Sequence, residues 1–257
     1  VNLKTNLIKN TEIMNEQKLS KDAETKPDGY TLLADAVFRP ILFSTPMVQA
    51  ILNFTKTLTR RTQGLEEINE NPDQFIFERR MAGGQFVFID KEQRLKQWFI
   101  KPKFNEGDIM WVRETFAKMF EIHEELVGKD REDMGYWYKT DGELSEASFY
   151  IEGYKWKPSI FMPKEACRLF LKVTNVRVER LQNISVDDAI KEGLYKEWDD
   201  TNYWYQNYSI KLPKMFKSPL KSFQSLWQSI NGKDSWNKNH WVWVYEFEQI
   251  DRPSGFC

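Results

Sequence analysis

The stretch ILNFTKTLTRRTQGL, residues 51–65, gathers Lys56, Thr57, Thr59, Arg60 and Arg61 within six positions, directly after an apolar helical face. Two hydroxyls and three cations in one short segment suit a site that handles an anionic or polar ligand; a basic surface loop is the plainer alternative. Arg61 and Arg113 carry guanidinium forks that can hold a carbonyl, a phosphate or the edge of a base. Glu114, next to Arg113, can accept from a base amine. The competing role for both neighbours is a strand-end salt bridge. Trp111 and Trp243 can stack a base, although with 10 Trp in the chain core packing is the commoner use. Ser44 opens a helix whose N-terminus suits an anion or carbonyl, with plain capping as the simpler role.

These residues must be placed by the elements around them. Residues 40–43 of RPILFSTPMVQAILNF form a short apolar strand, Ser44 or Thr45 caps a helix, and Pro46 suits its first turn. Met47, Ala50, Ile51 and Phe54 fall at i, i+3, i+4 and i+7, so one face is buried and the helix is expected over 45–55. TLTRR then starts a strand. FIFERRMAGGQFVFI predicts a hairpin around Gly83-Gly84 that projects as an insertion. Gly107-Asp108 turn into a strand through Trp111. CRLFLKVTNVRVERL alternates over Val173, Val176 and Val178, as one long strand or two joined by a bend. Further helices are expected over 185–192, with Ser185 as cap and Gly193 as stop, and over 219–230, with Ser218 as cap and Pro219 as first residue. A last strand sets Val242, Val244 and Phe247 against Trp241, Trp243 and Tyr245. Strands with a few separated short helices indicate an α+β domain on a small, mostly antiparallel barrel. It occupies 37–257 after a weakly ordered arm over 1–36, with insertions at about 62–104, 118–155 and 195–217.

Bulk composition narrows the function classes. A net charge of −1 over 257 residues argues against a dominant electrostatic grip on long nucleic acid. Cys167 and Cys257 make no disulfide framework, and a reducing cytoplasm is the expected setting. Cys167 has no His near it in sequence and is expected as a buried thiol. Two separated histidines, His123 and His240, do not suggest a zinc site. No run approaches the ~18 apolar residues of a membrane span, and VNLKTNLIKN lacks the apolar core of a signal peptide.

The order ILFSTPMVQAIL…KTLTRR, GDIMWVRETF, KPSIFMPKEACRLFLKVTNVRVERLQNISVDDAIKEG, FQSLWQSING and WVWVYEF resembles the ASCH-domain proteins of phages and prophages, within the PUA-like superfamily. The likeness covers most of residues 39–250, leaving out the insertions and the arm. It implies a PUA-like, mixed or antiparallel small β-barrel with short flanking helices and an inserted hairpin. The family signature Gly-x-Lys-x-x-Glu-x-Arg places Phe54 at Gly, Lys56 at Lys, Thr59 at Glu and Arg61 at Arg. Thr at the Glu position is similar to the small bacterial acetylcytidine amidohydrolases of the superfamily. In those, the Lys and Thr act with a Glu from a short helix, here Glu192 of DAIKEG.

That branch implies a nucleoside amidohydrolase removing an acyl group. Thr59 would be the nucleophile or water positioner, Lys56 the base, Glu192 the proton shuttle, and Arg61 or a backbone N–H the oxyanion donor. Glu192 also stands out on its own: it lies at the negative end of a helix, where a carboxylate is disfavoured unless a cation such as Lys56 faces it. Local sequence alone is met more simply by Lys56 capping helix carbonyls and Thr59 in a strand, and the resemblance reverses that preference; for Glu192 the plain alternative is a solvated residue in the last helical turn. No metal or organic cofactor is needed, and the partner is a modified nucleoside or single-stranded nucleic acid. The alternative from another class is a non-catalytic PUA-like reader of RNA or a modified base in the same cleft.

Overall fold

The computed structural model describes residues 36–122, 131–142, 155–209 and 215–256. All of the expected N-terminal arm except Ala36 lies outside them, as do His123, Cys257 and parts of the second and third expected insertions. The described chain is a mixed α+β fold, mostly strands, with four short α-helices.

Its centre is a five-stranded sheet in the order β1 (Phe38–Leu42), β6 (Ile109–Arg113), β9 (Phe170–Arg180), β13 (Trp241–Ile250), β2 (Leu58–Arg61). β1 runs parallel to β6, and the other three pairings are antiparallel. β1 and β2 are the two edges and share no ladder, so the sheet is not closed into a barrel. Pro40 fits such an edge, where its missing N–H removes no ladder bond. In β9 the apolar spacing of three and then two, Val173, Val176, Val178, is that of a bulge. The register against β13 slips between Glu246 and Phe247, which leaves Thr174 as the extra, exposed residue and returns Val173 to the buried face. Phe247, expected on the face of Val242 and Val244, instead follows Trp243 and Tyr245, because β13 itself contains no extra residue.

The helices match their signals with small shifts. α1 (Thr45–Leu52) starts after Ser44 with Pro in its first turn and buries Met47, Val48, Ala50 and Ile51. It stops at Leu52 rather than 55, because Phe54 swings to φ 56 and is 74% exposed instead of continuing the buried stripe. α2 (Glu66–Glu70) follows β2. α3 (Val186–Lys191) is capped by the Ser185 hydroxyl, which accepts from Asp188 N. α4 (Pro219–Asn231) is capped by Ser218 and buries Phe223, Leu226 and Trp227.

β3 (Phe75–Arg80), β4 (Phe86–Asp90) and β5 (Gln97–Ile100) form a second, antiparallel sheet. The hairpin around Gly83-Gly84 is present, and its two strands differ. Phe86 meets Trp243 edge-on at 4.8 Å and Phe88 meets Trp241 at 5.2 Å, so β4 is packed on the central sheet and buried throughout, while β3 is exposed at Ile76, Glu78, Arg79 and Arg80. This is also why Trp243 cannot stack a ligand: it is 0% exposed. β7 (Phe116–Ile122) pairs with β8 (Arg131–Tyr138), and β10 (Lys196–Trp198), β11 (Tyr203–Gln206) and β12 (Met215–Phe216) make a small third sheet.

Candidate functional site

The turn from α1 into β2 is tied down by its own backbone. Thr55 N and Lys56 N both donate to Ala50 O, and Thr57 N donates to Lys191 O, which pins the turn to the end of α3. Lys56 and Glu192 face each other across an isolated antiparallel bridge. Gly193, at φ +82, lets the chains approach this closely; a Cβ there would lie 2.7 Å from Lys56 Cβ and 2.8 Å from Ala50 Cβ.

The Lys56 ammonium uses all three of its protons. It donates to Leu58 O at 2.9 Å, Glu192 O at 2.8 Å and Glu192 Oε2 at 2.8 Å, and the residue is 3% exposed. It thus caps the end of α3 and pairs the disfavoured carboxylate at once. Burial holds its pKa below the usual lysine value; the Glu192 charge and hydrogen bond oppose that shift, and Arg61 and Arg60 add to it. The other Glu192 oxygen accepts from Arg60 Nη1 at 3.2 Å.

Arg60 is the residue that sequence reasoning missed. Its side chain is 1% exposed and spans Glu179, Asp188 and Glu192, with its guanidinium 5.7 Å from the Phe223 ring centroid. Arg177 extends the network to Asp188 and Glu246. No local spacing signals this, since the carboxylates come from β9, α3 and the residue after it.

β-strand alternation sends Thr59 and Arg61 to the opposite face. Thr59 lies across from Tyr245 and Arg61 across from Trp243. Thr59 is 1% exposed, and its Oγ1 has no hydrogen-bond partner. Lys56 and Glu192 are therefore in direct contact, as their types suggest, whereas Thr59 is bonded to neither. None of the three lines the cavity nearest to them in the fold, which is built from other residues.

A cavity of about 340 Å³ lies instead in the seam between the unpaired edges β1 and β2. Pro40, Ile41, Leu42, Phe104 and Ile160 give it apolar walls, and Arg61, Gln63, Lys103, Arg113 and Tyr245 supply polar groups. Arg61 crosses the seam: Nη2 donates to Leu42 O and Nη1 to Arg60 O, both at 3.1 Å, and the guanidinium lies 5.1 Å from the Phe43 ring centroid. Lys103 Nζ donates to Pro40 O at 3.1 Å. Arg113 Nη2 donates to Ile160 O, and its buried Nε has no partner. Burial pushes the Tyr245 phenol up to about 12, and its oxygen accepts from Lys103 N at 3.2 Å. Burial also lowers the Lys103 ammonium, with Arg61 and Arg39 contributing.

The other candidates are placed elsewhere. Glu114 is 1% exposed and accepts from Arg168 Nε at 2.9 Å, Arg168 Nη2 at 3.1 Å and the Thr140 hydroxyl at 2.8 Å. It is thus a fully used structural carboxylate rather than a lining group. Trp111, 6% exposed, packs on Phe256 and carries the Arg113 guanidinium 5.5 Å from its ring centroid, so it offers a ligand no open face. Ser44 is exposed; its carbonyl accepts from Met47 N and Val48 N at 2.9 Å, but its hydroxyl makes no cap bond. Cys167 is a buried thiol whose pKa is pushed up to about 11 by burial. Among the described residues no group of His, Cys, Asp and Glu could hold a metal ion, and no helix is long and apolar enough to cross a membrane. No family model, curated protein or solved structure matches the chain.

Proposed function

We propose that the seam between β1 and β2 is a pocket for a nucleobase or nucleoside, and that the chain is a PUA-like module of ASCH type reading a modified nucleoside or single-stranded nucleic acid. The observation that carries this is the make-up of the seam cavity. Its apolar walls suit a flat heterocycle, the Gln63 side chain can pair with a polar edge of one, and Arg61 and Arg113 offer charge-assisted donors beside it. Its volume falls within the roughly 300–1,000 Å³ of small-ligand pockets. A curved sheet whose two edge strands face each other across a ligand is also what an incompletely closed PUA-like barrel would present. The near-neutral net charge fits capture of one unstacked base better than a grip on a long duplex.

Calorimetric titration of the purified chain with natural and acetylated nucleosides and short single strands is the test. Binding that Arg61→Ala weakens by ~1–3 kcal/mol supports a charge-assisted contact in the seam. Unchanged affinity for every bound ligand removes Arg61 from the site.

A deacylase is the second reading, and Thr59 favours it. A buried hydroxyl without a partner calls for an explanation, and this one lies three residues from a lysine whose pKa is lowered. Lys56 accepts a proton only after its ammonium has given one up, and the Glu192 carboxylate bonded to it at 2.8 Å is the group that can take it. Turnover of acetylated cytidine by wild type, lost in Lys56→Arg because guanidinium cannot act as a base, would make hydrolysis the primary function.

A further inference from the structure

The charges of the seam do not balance. Among the described residues three cations line it, Arg61, Lys103 and Arg113, and no carboxylate does. Three cations elsewhere are matched: Lys56 by Glu192, Arg60 by Glu179, Asp188 and Glu192, and Arg168 by Glu114 and Asp141. Among the described residues the three seam cations bond only to backbone carbonyls. Glu192 is the carboxylate whose charge acts on Arg61, and both its oxygens are already taken by Lys56 and Arg60.

Donors also remain unspent. An ammonium has three protons and a guanidinium five. Lys103 uses one on Pro40 O, and Arg61 uses two on Leu42 O and Arg60 O. Arg113 keeps a buried Nε without a partner. The β1 carbonyls hold the first two cations in place before any ligand arrives, which lowers the ordering cost of binding.

We infer that Lys103, Arg61 and Arg113 form a phosphate subsite, so that the ligand of the seam is a nucleotide, free or at a position in a single strand, rather than a bare nucleoside. This rests on the seam being a base pocket. The phosphate sits among the three cations, and the base lies along Leu42 and Ile160. A phosphate supplies the negative charge that the seam lacks, and its oxygens accept the unspent N–H groups.

The test is calorimetric titration of the full chain with the four ribonucleosides, their 5′- and 3′-monophosphates, inorganic phosphate and a short single-stranded oligonucleotide, in wild type, Lys103→Gln and Lys103→Arg. Urea midpoints confirm folding of each variant. At least one monophosphate should bind roughly tenfold or more tighter than its nucleoside, the scale of one charge-assisted contact. Lys103→Gln should bring that ratio toward unity, and Lys103→Arg should keep part of it. An oligonucleotide binding tighter than the mononucleotide assigns the phosphate to a strand, and equal affinity assigns it to a free nucleotide; either supports the subsite. Equal affinity for nucleoside and monophosphate, or a ratio untouched by Lys103→Gln, overturns the phosphate subsite and leaves the base pocket standing. Inorganic phosphate binding as tightly as any nucleotide overturns the nucleotide assignment and the base pocket with it, as does absence of binding by every probe.

Discussion

Arg60 and Arg61 are neighbours on β2 and have opposite surroundings. Strand alternation turns Arg60 into a cluster of three carboxylates under Phe223, and turns Arg61 into a seam where it meets only carbonyls and the Phe43 ring. Lys56 belongs with Arg60, since every proton of its ammonium is used. Lys103 belongs with Arg61. A buried cation whose charge is matched holds the fold together. A half-buried cation without an anion leaves Coulomb energy that a ligand can supply.

The sharpest way to break this comparison is Arg60→Met. It leaves Glu179, Asp188 and Glu192 with Lys56 and Arg177 as their remaining cations and should cost about 3–5 kcal/mol, the usual penalty for removing one partner of a buried ion-pair network. Urea denaturation checks it, and a loss under ~1 kcal/mol would mean that the network is slack and the two arginines are alike.

Gly193→Ala comes next. It combines a positive φ with a Cβ contact of 2.7 Å against Lys56, so about 2–4 kcal/mol should be lost through strain and overpacking. A thermal midpoint equal to wild type would show that the Lys56–Glu192 contact is loose enough to yield.

A third measurement uses pH. The folded-state pKa of Lys56 is lowered by burial from an unfolded value near ~10.4, so the unfolded chain binds more protons in the window between the two. Stability from this group therefore rises as pH climbs through that window. Lys56→Met should flatten the rise, read as the slope of unfolding free energy against pH rather than as its absolute value. An unchanged slope would mean that the pairing with Glu192 outweighs the burial.

The smallest effect is expected at Phe54→Gly. Phe54 holds φ 56 while 74% exposed, a conformation that costs an L-residue ~1–2 kcal/mol, and glycine returns roughly half of that in unfolded-state entropy. A gain of about 0.5–1 kcal/mol in chemical denaturation is expected. A loss would show that the ring packs more than its exposure indicates.

Much of the scaffold was legible because its signals are local. Pro46 and Pro219 mark helix starts, Gly193 and Gly232 mark ends, and the run from Cys167 to Leu181 reads as one long strand or two joined by a bend, which the structure resolves as one strand, β9, with a bulge at Thr174. The Lys56–Glu192 pairing was legible through the helix-end electrostatics of Glu192. What escaped depends on distant partners. Arg60 looks like Arg61 until α3 and β9 supply its carboxylates, and Lys103 looks like any loop lysine until Pro40 O and Arg61 are beside it. The tryptophans were ambiguous for the same reason: nothing near Trp243 in sequence announces that Phe86 covers it.

The central claim is that Arg61 is held for a ligand and not for the fold, and Arg61→Ala tests it most directly when urea midpoint and nucleotide affinity are measured on one preparation. The expected result is a stability change within about 1 kcal/mol together with a binding loss of ~1–3 kcal/mol. A variant that unfolds as readily as Arg60→Met, or one that binds every ligand as wild type does, would contradict the account.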